Sequence, residues 1–493
     1  MARIYVTTSI PYVNAPPHIG HALEFVQADT LARHWRRKGI QVRLLSGTDD
    51  HAQKNVLAAE VAGIPTQQYV DINASRFETL AQALSLSYDD FIRTSRDPRH
   101  RPGVDRLWRA CLRSGDLYRA TYRGLYCVGC EQFYADGELE GNVCSDHDLT
   151  LEAVEEENWF FRLSRYGNTL RNLIASGELR IQPEGHRREA LAFMQRGLED
   201  FSVSRPIERT RSWGIPVPDD PSQTIYVWWD ALGNYITALD YGAGGPAYDH
   251  WWRESDRRIH VVGKGILRFH AIYWPAMLLS AGEPLPTDIM VHGYLTADGK
   301  KISKSLGNVI DPAELVDRLG ADAVRWWLLS AVPKSGDADF TIEDLVKHAN
   351  EDLADGIGNL VTRTVTMVQR YLSGLVPEVE VEQRMVELET RIAAHMHDFD
   401  FRSATAAIME EIRTCNRQIS QSQPWKLAGV AADDENTRRD LAALLGSFVI
   451  NERMLAQALA PFLPELTARA SAQLGTGSSV GLSAPLFPRL RSV

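Results

Sequence analysis

A short apolar run, IYVTTSI, breaks at a Pro-Pro turn, opens a helix at HIGHALE and is followed by a second apolar run, VRLLSGTDD. Two strands joined by a helix have a connection too long for a hairpin and long enough for a parallel crossover. A chain that repeats this unit builds a parallel sheet with helices on both faces. The repeat is present: a further helix runs through NVLAAEVAG, and the alternation resumes with TIYVWWDAL, IHVVGKG with the helix FHAIYWPAMLLSAG, and DIMVHGYLT. The predicted class is α/β, a doubly wound parallel-sheet (Rossmann-type) domain.

Between the two halves of that pattern, residues 117–205 read differently, with clustered cysteines and short aromatic runs such as NWFFRL. From residue 346 the chain turns helical: Leu353, Ile357, Leu360, Val365, Val368 and Leu372 keep a helical apolar period. The segments expected are 1–116 and 206–345 for the sheet domain, 117–205 for the insertion and 346–493 for a C-terminal α-helical bundle. No run approaches the roughly 18 apolar residues that span a bilayer, and the start has neither the basic region nor the apolar stretch of a signal peptide. A cytoplasmic location without membrane contact is the expectation. The net charge of −11 leaves nucleic-acid binding to local basic surface, of which the arginine-dense stretch from Arg93 to Arg123 is the candidate, although a solvated helix face is the default reading of such a run.

Three features carry chemistry. At the first helix start, His18 and His21 are three apart and share a face beside unpaired backbone N–H groups and the positive helix end, and Gly20 leaves a gap for a flat group; the combination suits a triphosphate with its base. The plain alternative is a capped helix with two surface histidines. Residues 293–308, GYLTADGKKISKSLGN, are not a Walker loop, because Gly293 and Gly299 are too far apart and Lys301 stands where Ser or Thr belongs. Lys301 and Lys304 suit a loop that closes over phosphates. Cys127, Cys130, Cys144 and His147 form C-x2-C-x13-C-x2-H, whose paired gaps present four ligands to one tetrahedral ion, a structural Zn²⁺ site with no open position. The remaining thiols, Cys111 and Cys415, fall on apolar helical stripes and read as buried and inert.

The histidine-bearing helix start together with the KISKS loop resembles the signature pair of class I aminoacyl-tRNA synthetases. SIPYVNAPPHIGHALE, SGTDDHAQK, YCVGCEQF with CSDH, SRPIERTRSWGIPVP, YVWWDALGNYI, GKGILRFHAIYWPAML, KKISKSLGN, GNLVTR and the late PW follow the order of the methionyl branch over nearly the whole chain. The resemblance implies a catalytic domain in 1–116 and 206–345, a zinc-bearing insertion and an anticodon-binding helical domain. It implies methionine, ATP with Mg²⁺, and tRNA(Met) as partners. By the resemblance His18, His21, Lys301 and Lys304 are catalytic, and Pro17, Gly20, Lys264, Gly293 and Lys304 hold ATP. Ile10, Tyr12, Trp228, Tyr235, Ile266 and His270 form the methionine pocket, with Asp49, or Asp50 next to it, on the α-ammonium. Asn359, Arg363 and a stacking Trp425 read the anticodon, the alternative for Trp425 being an ordinary buried tryptophan. Two positions depart from the family pattern: Gly265 in GKG where GKD is expected, and Ala52 where glycine is usual. The extension that makes some relatives dimers is absent, so a monomer is expected. A synthetase for another amino acid, or a paralogue that binds RNA without activating one, are the rival readings.

Overall fold

The computed structural model describes residues 2–127, 132–134, 143–144, 149–297, 299–302, 308–431 and 434–491; the side chains of residues 132–134, 149 and 301 are outside this description. The chain divides into two compact units. One comprises Met1–Pro17, Gly39–Thr79 and Ser87–His292; the other comprises His18–Lys38, Leu80–Leu86 and Gly293–Val493.

The first unit is built on a six-stranded sheet of β1 (Arg3–Thr8), β2 (Gln41–Thr48), β3 (Asp90–Arg93), β4 (Arg180–Gln182), β5 (Arg257–Gly263) and β6 (Asp288–His292), in the order β3-β2-β1-β5-β6-β4. Every neighbouring pair is parallel. Such strands are covered on both faces, which is why β1 and β6 read as near-continuous buried runs rather than alternating ones. Because β1 pairs with β2 on one side and β5 on the other, the chain leaving β1 and the chain leaving β5 diverge at the carboxyl ends of the strands. That divergence is the topological switch point at which α/β sheets open a ligand crevice. Around the sheet pack helices α2 (His100–Arg113) and α3 (Val227–Thr237), with Trp108, Trp229, Trp252 and Trp274 buried in one core.

The segment 117–205 is not wholly apart from this sheet. Its Leu117–Cys127 and Glu152–Phe161 strands form a long antiparallel ribbon, from Leu117 opposite Phe161 to Tyr126 opposite Glu152. Its β4, however, is the edge strand of the main sheet, paired to β6. A run as short as RIQ carries no period of its own, so the sequence gives no sign of this pairing.

The second unit contains α1 (Ile19–Arg37) and the helices α4 (Ala321–Ser330), α5 (Asn359–Leu372), α6 (Phe401–Ser422) and α7 (Glu435–Leu459) among others. Helical structure begins before residue 346: Asp311 caps Pro312–Leu319, with its carboxylate accepting from the Ala313 N–H, and α4 follows. Arg325 on α4 ties this unit together. Its guanidinium pairs with Asp29 of α1 at 2.8 Å, both side chains fully buried, and also donates to the carbonyls of Leu84, Pro461 and Phe462. Removing one partner of such a pair leaves the other charge stranded in apolar surroundings. Arg325→Ala is therefore expected to cost about 3 to 5 kcal/mol of unfolding free energy, measured by urea denaturation of the second unit's transition.

Candidate active site

In the second unit, His18 is the N-cap of α1, in an extended conformation. Its Nδ1 accepts from the Gly20 N–H at 3.1 Å, and His21 Nδ1 accepts from the His18 N–H at 3.1 Å, a reciprocal capping box made by two imidazoles. A nitrogen that accepts carries no proton, so both neutral rings hold theirs on Nε2. The rings lie 3.9 Å apart, centroid to centroid. The two imidazoles therefore carry their protons on Nε2 beside the positive end of a helix, a place that favours anionic groups. Burial lowers the His18 pKa to about 4, so at neutral pH it donates as a neutral ring. Gly20 has a second reason to be glycine: a Cβ there would stand 2.9 Å from the His18 ring.

The approach to the KISKS segment is framed by a small sheet in which Leu295–Ala297 pairs with Lys300–Lys301 and with Ala338–Phe340. Gly293 packs so closely on Gly336 that a Cβ would lie 1.9 Å from its carbonyl oxygen, and Asp339 Oδ1 accepts from both the Thr296 hydroxyl (2.6 Å) and the Gly299 N–H (2.7 Å). These contacts fix where the loop leaves and returns. Lys304 and the side chain of Lys301 lie outside the described residues.

In the first unit, the loops that follow β1, β2 and β5 carry Ile10, Tyr12 and Pro17, then Asp49, then Lys264, Ile266 and His270. Tyr12 and Asp49 are bridged by the Asp49 N–H donating to the Pro11 carbonyl at 2.9 Å. Trp228 on α3 meets Tyr12 edge-on at 6.4 Å and stacks on Phe269 at 3.7 Å, and its indole N–H is buried without a hydrogen-bond partner among the described residues. His270 Nδ1 donates to the Ile266 carbonyl at 3.0 Å, since a carbonyl can only accept; Nε2 therefore accepts from the Tyr235 hydroxyl at 2.6 Å. Ile10, Tyr235 and His270 are buried. Sequence reasoning missed Phe269, whose signal was its place one residue before a candidate wall residue in the same helix turn.

Asp49 and Asp50 differ sharply in surroundings. Asp50 accepts from Thr48 (2.8 Å), Ser95 (2.6 Å) and Arg93 (3.3 Å), so both of its oxygens are engaged in holding the loop. Asp49 Oδ1 accepts from the His51 N–H at 3.1 Å. Also missed was Asp230 on α3, buried between His51 (Nδ1–Oδ2, 2.6 Å) and His100. Burial alone would raise its pKa, but the two imidazoles outweigh that and hold it well below the usual carboxylate range; the His51 pKa is raised in turn, Asp230 outweighing burial. Ala52 sits at φ −58°, ψ 139°, ordinary for an L-residue, with its methyl buried against Tyr226 and Val227, so glycine is not required there. Gly265 is exposed in the middle of the Lys264–Ile266 turn.

Cys127 and Cys144 are buried in one small cluster with Leu151; Cys130 and His147 lie outside the described residues. Among the described residues no group of three metal-ligating side chains gathers. In the helical part of the second unit, Asn359 and Arg363 line a cleft of about 620 Å³ together with Asp352, Arg413, Asn416 and Arg417. Trp425 follows Pro424 at the start of the short helix Pro424–Val430 and is 44% exposed, so it is not a core tryptophan. The arginine-dense stretch is a different matter. Arg93 and Arg96 pair with Asp71, Arg99 with Asp90 and Asp97, Arg109 with Asp219, Arg119 with Asp220 and Glu157, and Arg123 with Glu155. Its charge is largely answered within the fold, which corrects the expectation of an open basic surface there.

The first unit is thus a doubly wound α/β domain, the class of fold that takes its ligands at a topological switch point. The family model described as tRNA synthetases class I (M) matches residues 4–149 and 138–365. The methionine–tRNA ligase of Caldanaerobacter subterraneus subsp. tengcongensis is 39% identical over 480 residues, covering 96% of this chain and 74% of that protein. That of Thermosynechococcus vestitus is 40% identical over 487 residues, covering 95% and 89%. Mycobacterium tuberculosis methionyl-tRNA synthetase in complex with methionyl-adenylate superposes with a TM-score of 0.91 at 34% identity, covering 99% of this chain and 100% of that one. The chain belongs to the methionine-specific class I tRNA synthetases.

The lowered His18 pKa has a direct consequence. Because the folded ring takes up its proton only near pH 4 while an unfolded one does so near 6.5, the unfolded state binds more protons in that window, and His18 makes the fold less stable as pH falls through it. In NMR titration the His18 ring signals are expected to stay neutral through the slightly acid range and to move with a midpoint near 4.

Proposed function

We propose that this chain activates methionine with ATP and passes it to the 3′ end of tRNA(Met). The methionine carboxylate attacks the α-phosphorus, a P–O bond forms, and pyrophosphate leaves; a ribose hydroxyl of the terminal adenosine then attacks the aminoacyl carbonyl and AMP leaves. Such a reaction gives the protein little covalent work, so catalysis rests on positioning and on meeting the charge that spreads over the phosphates. His18 and His21 donate their Nε2–H groups to phosphate oxygens, Pro17, Gly20 and Gly293 shape the nucleotide site, and Lys264, Lys301 and Lys304 supply cationic charge alongside Mg²⁺.

The observation that carries the substrate assignment is the cluster at the carboxyl ends of β1, β2 and β5. There the carboxylate of Asp49, whose Oδ1 accepts from the His51 N–H, stands next to Tyr12, which Trp228 meets edge-on to form an aromatic wall. Methionine has an ammonium for Asp49 and a thioether that makes no strong hydrogen bond. The Tyr235–His270 pair satisfies its own polar groups and so offers the side chain shape and aromatic edges, worth roughly 0.3 to 1.5 kcal/mol per sulfur contact. Ile10 and Ile266 complete the walls. The engagement of both Asp50 oxygens favours Asp49 for the ammonium.

In this reading residues 346–493 form the anticodon-binding domain, residues 1–116 and 206–345 the catalytic halves, and residues 117–205 the insertion, in a cytoplasmic monomer. Asn359 and Arg363 meet base edges and the exposed Trp425 is a stacking platform. The burial of Cys127 and Cys144 in one cluster fits a structural zinc held with Cys130 and His147.

Pyrophosphate exchange into ATP with each of the twenty amino acids is expected to proceed with methionine above all others; exchange with none, or mainly with another amino acid, would overturn the assignment. Lys304→Ala is expected to slow adenylate formation by orders of magnitude with little change in methionine affinity, since its charge is matched in the transition state. Trp425→Ala is expected to leave exchange and the melting temperature near wild type while tRNA charging falls by roughly 10-fold to 100-fold, the usual worth of about 1 to 3 kcal/mol for one stacked base. Elemental analysis is expected to give about one zinc per chain.

A further inference from the structure

Asp49 is fixed through its backbone and one oxygen: its N–H donates to the Pro11 carbonyl, its carbonyl accepts from Asn55 at 3.0 Å, and Oδ1 accepts from the His51 N–H. The backbone of His51 therefore holds the carboxylate, and the ring of His51 holds something else. Its Nδ1–H donates to Asp230 Oδ2 at 2.6 Å. Asp230 lies on α3, two residues after Trp228 and five before Tyr235, the helix that supplies the aromatic wall. Asp230 cannot follow His51 if the loop moves, because its other oxygen accepts from His100 Nε2, and His100 Nδ1 contacts the Thr237 hydroxyl at 2.7 Å, again on α3. Trp213 closes the remaining side: its ring meets that of His51 edge-on at 5.9 Å and its N–H donates to the Asp50 carbonyl at 2.8 Å.

We propose that His51 is a positioning residue for the amino acid: clamped to Asp230, it sets the distance between the carboxylate that takes the ammonium and the aromatic wall that takes the side chain. The proposal rests on the methionine reading above. A ligand gripped at both ends needs both ends at a fixed separation, so loosening the clamp weakens ligands that use both ends and spares those that use the wall alone. A merely structural histidine would lower binding of either kind equally.

The test is calorimetric and needs no turnover. Methioninol keeps the ammonium and the thioether side chain; 4-(methylthio)butanoate keeps the side chain and lacks the ammonium. His51→Ala is expected to weaken methioninol roughly 10-fold to 100-fold, the usual worth of a charge-assisted hydrogen bond, and to leave 4-(methylthio)butanoate within about 3-fold. His51→Asn, whose amide N–H falls near the position of Nδ1, is expected to restore most of the loss. Thermal melting of each variant is run alongside, and Asp230→Asn, which keeps the shape but replaces one acceptor with a donor, serves as the second variant and is expected to show the same selective loss. Equal weakening of the two ligands, or undiminished methioninol binding in a folded variant, would overturn the proposal. Wild-type protein that binds neither ligand would instead overturn the methionine reading, and the proposal with it.

Discussion

Much of the first unit follows from the placement of one strand. β1 has parallel neighbours on both sides, so at its carboxyl end the chain leaving β1 for β2 and the chain leaving β5 for β6 part company. A parallel neighbour on each side also means that all three loops leaving β1, β2 and β5 emerge at the same end of the sheet. The residues proposed to meet methionine, Tyr12, Asp49, Ile266 and His270, sit within a few positions of those strand ends, and α3 is brought in from elsewhere to supply Trp228 and Tyr235. The long connections that separate these residues in sequence cost nothing in precision, because the sheet and not the loop sets where each strand ends.

Polar side chains hold the parts in place, and their arrangement follows one rule. Where one ring nitrogen of a buried histidine meets a group that can only accept or only donate, the role of the other nitrogen follows. His270 must donate to a carbonyl, so it must accept from Tyr235; His260 accepts from the Trp274 N–H at 3.2 Å, so its other nitrogen donates to Thr7 at 2.7 Å. Burial keeps His260 neutral, its pKa far below the ordinary value. In the second unit the same logic fixes His18 and His21, where the backbone N–H groups leave Nε2 as the only protonated nitrogen. Tautomers are thereby decided by the fold before any substrate arrives, which is what preorganised catalysis requires.

The sequence made the alternation of strands and helices legible, because buried parallel strands and amphipathic helices differ in length and period. The family resemblance, carried by motifs rather than by pattern, was legible as well and agrees with the relatives. The structure placed Tyr12 beside Trp228, Tyr235 beside His270, and Asn359 beside Arg363, pairs that the sequence had grouped. It did not foretell β4, three residues long, nor Asp230, whose role exists only because residues 51, 100 and 230 meet in space. The arginine-dense stretch offered a basic surface for a related reason: most of its carboxylate partners, Asp71, Asp219, Asp220 and Glu155 among them, come from other segments, and local composition cannot see them.

Ala52 and Gly265 mark how far a family pattern constrains a single member. Glycine is obligatory only where a Cβ has no room or the backbone turns left-handed. Gly293 meets the first condition, since a Cβ would strike the Gly336 carbonyl, and Ala52 meets neither, since its dihedral angles are ordinary and its methyl fills space beside Tyr226. The substitution at 52 therefore adds packing next to the Tyr12–Trp228 wall without forcing the backbone. A pocket that recognises a side chain with no strong polar handle depends on the rigidity of its apolar walls, because one methylene discriminates by only about 1 to 3 kcal/mol and a wall that yields gives that up. In the proposed methionine pocket, an alanine methyl packed behind the wall works in the direction that selectivity needs.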